Sequence, residues 1–273
     1  MPEMSFDERR QLEDLSSLCE WYPRIKDAIP TPKTEILELN KEEIRNLYRA
    51  INRGEKIMES LVFKIGDAAS KIGYPLFLRS DQGSGKHDWK DTCYVKSELY
   101  LLDHVLNLIR WHESAGIMGM RFKALVFREF LDLETTFTAF HTGMPVAKER
   151  RYFVRNGEVT CHHPYWPHDA IYGASINNWE PLLDTLNKDS DADVKILTTY
   201  AKIFYTRNLG FWSVDFALQK DGLWVLIDAA RGEVSWHPEE CPMNPDHDEL
   251  MREKAERKKT VVDFESMLVK KEN

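Results

Sequence analysis

The sequence predicts an α+β protein whose body is built from antiparallel hairpins. Three observations carry this. Tight-turn residues separate alternating runs, most clearly at Asn156-Gly157 inside ERRYFVRNGEVTCH (149–162). Helical spacing is concentrated in the N-terminal part, ahead of the hairpin-rich body. The composition is that of a globular chain, with 42% hydrophobic and 30% charged residues over 273 positions.

Residues 1–28 combine mixed charge with helical spacing that puts Leu12, Leu15 and Leu18 on one face. Pro30 and Pro32 force an extended entry, and TEILEL then alternates as a short strand. Residues 40–60 predict an amphipathic helix capped by Asn40, with Glu43 as its capping-box partner. A second helix covers Glu59–Ile72 and stops at Gly73. PLFLRS (75–80) and TCYVKS (92–97) are strands joined by the polar loop DQGSGKHDWKD (81–91), which makes a hairpin with a long tip. Residues 98–114 form a helix with Leu101, Val105, Leu108 and Ile109 on one face. KALVFREFL (123–131) and ETTFTAFHTG (134–143) are strands, and 179–205 is helical. WSVDFALQ (212–219) and LWVLIDA (223–229) pair about Lys220-Asp221-Gly222. This divides the chain into a helical segment 1–29, a main domain 30–245 with a hinge near 128–134, and a charged helical tail 246–273.

Charge and cysteine usage narrow the function classes. With 37 Lys+Arg against 45 Asp+Glu, the net charge of −8 argues against sequence-independent nucleic-acid binding, which runs on basic surface. Cys19, Cys93, Cys161 and Cys241 form no CxxC pair, which fits a reducing, cytoplasmic setting. The N-terminus lacks the apolar core of a signal peptide, and no apolar run approaches the ~20 residues of a membrane helix.

Four constellations carry chemistry. The loop Gly83-Ser84-Gly85-Lys86 follows a strand ending in Arg79-Ser80, so backbone N–H groups and two cations can meet a polyphosphate. It is not a Walker A loop, because Ser80 and His87 stand where that motif needs Gly and Ser/Thr. The bland alternative is a solvated hairpin tip. Next, Arg128-Glu129-Phe130-Leu131 breaks from strand to linker, exposing backbone edges that can read an adenine, with Glu134 in reach of ribose hydroxyls. An ordinary strand end is the alternative. Third, Arg151 shares a strand face with Phe153; an inward Arg needs a negative partner, and a phosphate would serve. Fourth, Asp215 and Asp228 lie in apolar strands that their turn sets side by side. Two such carboxylates repel, and a divalent cation such as Mg²⁺ resolves the conflict. Pairing with an arginine such as Arg231 is the alternative. A soft-metal site at Cys161-His162-His163 with His168 lacks a second pair at fixed spacing. Cys93 and Cys161 fit small core residues better than nucleophiles.

Taken in order, these segments resemble the ATP-grasp superfamily from about Pro30 to Pro238. IGYPLFLRS resembles the family's "GYPvvvK" strand, with Arg79 where the phosphate-binding Lys usually stands. Loop 81–91 looks like the glycine-rich flap, VFREFLDLE like the inter-lobe hinge, RRYFVRNGEV like the "yRvfv.nGev" hairpin, and VDFALQKDGLWVLIDAARG like the metal-binding hairpin. The Arg-for-Lys exchange and the IDAARGEVSW ending are similar to a divergent, often phage-associated clade, and the eukaryotic cell-division-cycle ATP-grasp proteins share part of the pattern.

The resemblance implies two α+β lobes gripping ATP with Mg²⁺. It implies that Gly83, Ser84, Gly85, Lys86, Arg79, Arg128, Glu129, Phe130, Leu131 and Glu134 bind the nucleotide. Asp215 and Asp228 would hold the metal, and Arg79, Lys86, Arg151 and Arg231 would act in catalysis. The implied activity is ATP-dependent joining of a small-molecule or peptide carboxylate, as its acyl phosphate, to an amine or similar nucleophile. No membrane or nucleic-acid partner is expected. The family's third metal ligand, Asn, is Ala230 here, and Asp replaces Glu at 228. Glu233 or waters would have to complete the metal shell. The alternative is therefore a non-catalytic nucleotide-binding assembly factor or adaptor with a protein partner.

Overall fold

The computed structural model describes residues 5–116 and 122–252. These fall into two compact units, one up to Val234 and one from Ser235.

The first unit begins with α1 (Phe6–Leu15), whose Ser5 and Glu8 form a capping box. α2 (Leu18–Ile25) follows. The single apolar face expected over Leu12, Leu15 and Leu18 is broken at Ser16-Ser17, so that Leu18 is buried while Leu15 is half exposed. Both serines are engaged elsewhere: Ser17 Oγ donates to Asp81 and Ser16 Oγ accepts from Arg231 N–H. The segment 1–29 thus carries the expected helices, and its described residues lie in the same compact unit as the body.

Two antiparallel sheets follow. The first comprises β1 (Thr34–Glu38), β2 (Leu76–Ser80), β3 (Tyr94–Val95) and β4 (Ala124–Glu129), in the order β1-β4-β2-β3. α3 (Lys41–Arg53) carries the Asn40/Glu43 capping box and ends at left-handed Gly54, short of residue 60. α4 (Glu59–Ile72) stops at Gly73 as the sequence indicates. With α5 (Leu101–Gly116), these helices bury Leu47, Leu61, Ile65, Val105 and Leu108 against Leu76, Leu78, Leu125 and Phe127 of the sheet. Alternation then sends Phe77, Arg79 and Arg128 to the opposite face.

The second sheet comprises β7 (Glu149–Arg155), β8 (Glu158–Pro164), β9 (Trp212–Leu218) and β10 (Trp224–Arg231), in the order β10-β9-β7-β8. Asn156 and Gly157 both take positive φ, as the predicted type I′ turn demands. The predicted helix 179–205 is two helices, α6 (Glu180–Leu186) and α7 (Asp191–Arg207), because Ser190 caps the second with a bond from Asp193 N–H. α2 and α7 cover this sheet with Trp21, Ile25, Leu197, Ala201 and Phe204, packed on Tyr152, Val154, Val214, Phe216 and Leu226. β5 (Thr135–Ala139) pairs with β6 (Met144–Ala147), a strand the sequence reading lacked.

In the unit from Ser235, Asn244 Nδ2 donates to the carbonyls of His237 and Pro238. Residues 247–252 are helical, and the remainder of the tail expected as helix lies outside the described residues. No helix among the described residues is long and apolar enough to cross a membrane.

Candidate functional site

A cavity in the first unit opens onto the uncovered faces of both sheets. Arg79, Ser84, Lys86, Arg128, Glu129, Phe130 and Leu131 line it together with Asp215 and Asp228, which joins nine of the residues singled out from the sequence.

The carboxylates reach it through a backbone irregularity. β9 and β10 pair Leu226 with Phe216, then Asp228 with Asp215, leaving Ile227 as an extra residue in a β-bulge. Without that bulge Ile227 would face Asp215, and Asp228 would turn to the face that carries Val214 and the apolar core. The bulge therefore places the two carboxylates opposite one another on the cavity side. Arg128 Nη1 donates to the Ile227 carbonyl, pinning the bulge from the other sheet.

Each carboxylate is paired with an arginine, though not with Arg231. Arg151 grips Asp215 bidentately, with Nε and Nη2 both at 2.8 Å. Burial alone would disfavour the Arg151 charge, and Asp215 more than reverses that, raising its pKa. Arg79 Nη1 lies 3.0 Å from Asp228. Arg151 thus points inward as its shared face with Phe153 suggests, its partner is the carboxylate of Asp215, and it does not itself line the cavity. Lys86 stands over the rings of Tyr165 and Trp166, at 4.0 and 4.5 Å, with its Nζ 4.0 Å from Glu149 Oε2.

Glu149 was not singled out from the sequence. It faces the cavity two residues before Arg151 and accepts a hydrogen bond from Trp166 Nε1 at 3.2 Å. Burial raises its pKa, and the Asp215 charge adds to that. A carboxyl whose ionisation is disfavoured by folding loses stability as pH rises from the ordinary carboxylate range through the raised value, and the cost persists above it. Glu149→Gln should therefore melt higher than the parent at about pH 7 and equally at about pH 3. A lower melting temperature at neutral pH would contradict this environment.

The side of the cavity next to segment 129–133 is aromatic. Trp89 stacks on Tyr94 with ring centres 5.3 Å apart, and both rings contact Phe130, at 5.7 and 4.9 Å. Phe77, Trp89 and Phe130 line the cavity. Segment 132–134 is tied to the second sheet by Glu134 N–H to Leu218 O and Lys220 N–H to Asp132 O. Trp89, Tyr94 and Phe77 were not singled out from the sequence, and a lone Trp in the polar loop 81–91 is the signal that points to them.

Several expected residues sit elsewhere. Gly83 and Gly85 do not line the cavity; a Cβ on either would meet the Trp111 ring, at 2.7 and 3.1 Å. Their small size lets the loop lie on α5, while Ser84 and Lys86 face inward. Glu134 is exposed between two lining residues, Leu133 and Thr135. Arg231 bonds Glu233 and stacks on Trp212, so it is not part of the cavity lining, and Glu233 is engaged there too. Arg128 contributes a buried side chain where only backbone was expected. His162 stacks on Tyr152, and His168 bonds Asp184 at 2.8 Å, in line with the sequence argument against a soft-metal site built from these two histidines. Burial pushes the Cys93 thiol up to about 11, which suits a core residue and not a nucleophile.

The sequence of residues 65–253 matches the ATP-grasp domain of the R-to-K clade, family 3. No curated protein matches the chain. In fold the chain is similar to Cdc123 from Schizosaccharomyces pombe, with a TM-score of 0.56 and 14% identity over 81% of this chain and 85% of that one. A C-terminally truncated form of the same protein gives 0.54 and 13%, over 81% and 85% of the two chains.

Proposed function

The chain belongs to the ATP-grasp domain family of the R-to-K clade, family 3, and from that premise we propose that it is an ATP- and Mg²⁺-dependent ligase. It would activate a small-molecule or peptide carboxylate as an acyl phosphate and join it to an amine or similar nucleophile. The observation that carries this reading is the convergence of Arg79, Lys86, Arg128, Asp215 and Asp228 on one cavity that also holds the hinge.

The residues fit the groups the reaction needs. Arg79, Lys86 and Arg128 line the cavity together with Glu149, Asp215 and Asp228, and Arg151 holds Asp215, so cations for a polyanion and carboxylates for a metal stand side by side. The hinge backbone at 129–131 would meet the base edge, with Phe77, Trp89 and Phe130 against its faces. Asp215 and Asp228 offer hard oxygen donors from adjacent strands and would hold Mg²⁺. When bound, Mg²⁺ supplies charge neutralisation and orientation of the phosphates. Arg79, Lys86 and Arg151 would offset charge on the transferring phosphoryl group. Loop 81–91, braced on Trp111, would exclude water.

The test is an ADP-release assay with mixed amino acids and peptides carrying ¹⁸O in their carboxylates. Acyl-phosphate chemistry moves one label into the released phosphate when the nucleophile attacks the carbonyl. ADP release without label transfer would overturn this reaction class.

One observation favours a second reading. Ala230 stands at the family's third ligand position, and Glu233 is held by Arg231. A nucleotide-binding assembly factor or adaptor would tolerate that shell. Nucleotide binding with no ADP release from any mixture would support it.

A further inference from the structure

Arg79 and Arg151 each form an ion pair with a carboxylate of the site, whereas Arg128 forms none among the described residues. Arg79 and Arg128 are diagonal neighbours on adjacent strands, since Phe77 pairs with Arg128 and Arg79 with Val126. Both are 3% exposed. Between them they share Asp228, and only Arg79 forms an ion pair with it. Arg128 spends Nη1 on the Ile227 carbonyl and Nε on Thr34 Oγ1, and its Nη2 is buried with no hydrogen-bond partner among the described residues. Burial and the neighbouring Arg79 charge push Arg128 down to about 10. An uncompensated buried charge is costly, and a buried donor without an acceptor adds to the cost.

Resting on the nucleotide reading of this same cavity, we infer that Arg79 and Arg128 form a two-guanidinium seat for a phosphate group, and that Asp228 occupies it as a stand-in when no phosphate is bound. Three features support the assignment. Arg128 is fixed in place by two bonds, so its charge is pre-organised. Guanidinium is the cation best suited to phosphate oxygens. The carboxylate that now partners Arg79 is the one proposed to hold Mg²⁺, so phosphate on the seat would release Asp228 for the metal. Phosphate binding and metal binding would then reinforce one another.

The test is calorimetric titration in metal-free buffer with EDTA, using inorganic tripolyphosphate, ATP and adenosine as probes. Arg128→Met should weaken tripolyphosphate and ATP at least tenfold and leave adenosine within twofold, while Arg128→Lys should recover part of the loss. Asp228→Asn, which removes the stand-in, should bind tripolyphosphate at least threefold more tightly than the parent. That sign is opposite to the effect of a residue that merely supports the fold, and it keeps the inference testable if Arg128→Met folds poorly. The inference is overturned if Asp228→Asn binds tripolyphosphate less tightly, or if a folded Arg128→Met retains parental affinity. A parent that binds tripolyphosphate with these variant effects, yet prefers ATP no more than tripolyphosphate, would keep the seat and overturn the nucleotide reading. A parent that binds ATP with neither variant effect would do the reverse, and a parent that binds no probe would overturn both.

Discussion

Arg150→Met should cost about 3 kcal/mol of folding stability, seen as a lower midpoint in urea unfolding with an unchanged slope. Arg150 is fully buried on the face of β7 opposite the cavity. Its Nε pairs with Asp189, and its Nη2 donates to the carbonyls of Leu186 and Lys188, at 3.0 and 2.9 Å. One side chain thereby ties Leu186, Lys188 and Asp189 of the connection between α6 and α7 to β7. Methionine fills comparable volume but leaves two carbonyls and a carboxylate without their donor. Asp189 is 25% exposed and can partly rehydrate, which keeps the loss at the lower end of the range for broken buried pairs. A change below about 1 kcal/mol would show that water replaces the guanidinium without penalty.

Asp228→Asn should weaken Mg²⁺-dependent ATP binding by roughly tenfold or more, about 1.4 kcal/mol, whereas Asp221→Asn should stay within about twofold. The two aspartates lie seven positions apart in the same hairpin, so composition alone does not separate them. Asp228 lines the cavity opposite Asp215. Asp221 is exposed in the turn, where its Oδ1 accepts from Leu223 N–H, a bond that Asn can also accept. Titration calorimetry of ATP in the presence of Mg²⁺ reads the contrast directly. Equal effects would remove the metal assignment. The same Asp228→Asn variant is expected to gain affinity for metal-free polyphosphate, so its effect changes sign with Mg²⁺.

Much of this was legible in the sequence because it rests on local rules. The Asn156-Gly157 turn sets the first pairs of β7 and β8, Arg155 with Glu158 and Val154 with Val159, before a bulge shifts the register, and the short turn at 220–222 sets Asp215 near Asp228. The Asn40/Glu43 box and Gly73 mark helix ends by hydrogen bonding that any sequence must satisfy. The strand ending in Arg79 and the hinge after Arg128 were readable through the family resemblance.

What stayed hidden depends on long-range partners. The bulge at Ile227 moves Asp228 to the cavity face, and it is pinned by Arg128 from another sheet, 99 positions away. Gly83 and Gly85 suggest phosphate contact by type, yet their small size serves Trp111 of α5. Glu149 gave no signal, because a Glu at the start of a strand is ordinarily a solvated charge. The direction of Arg231 could not be told from that of Arg79 without knowing which carboxylate each one meets. Each is a tertiary choice among chemically equivalent local options.

The central claim is that this cavity binds an adenine nucleotide with Mg²⁺. The most direct measurement is thermal unfolding with ATP, ADP, AMP and GTP, each with and without Mg²⁺. A ligand at 100 times its dissociation constant stabilises a folded chain by about 2.7 kcal/mol, a readily visible shift. A large Mg²⁺-dependent rise with ATP or ADP, and little with AMP, is the predicted result. Unchanged melting with all four nucleotides at millimolar concentration would contradict it.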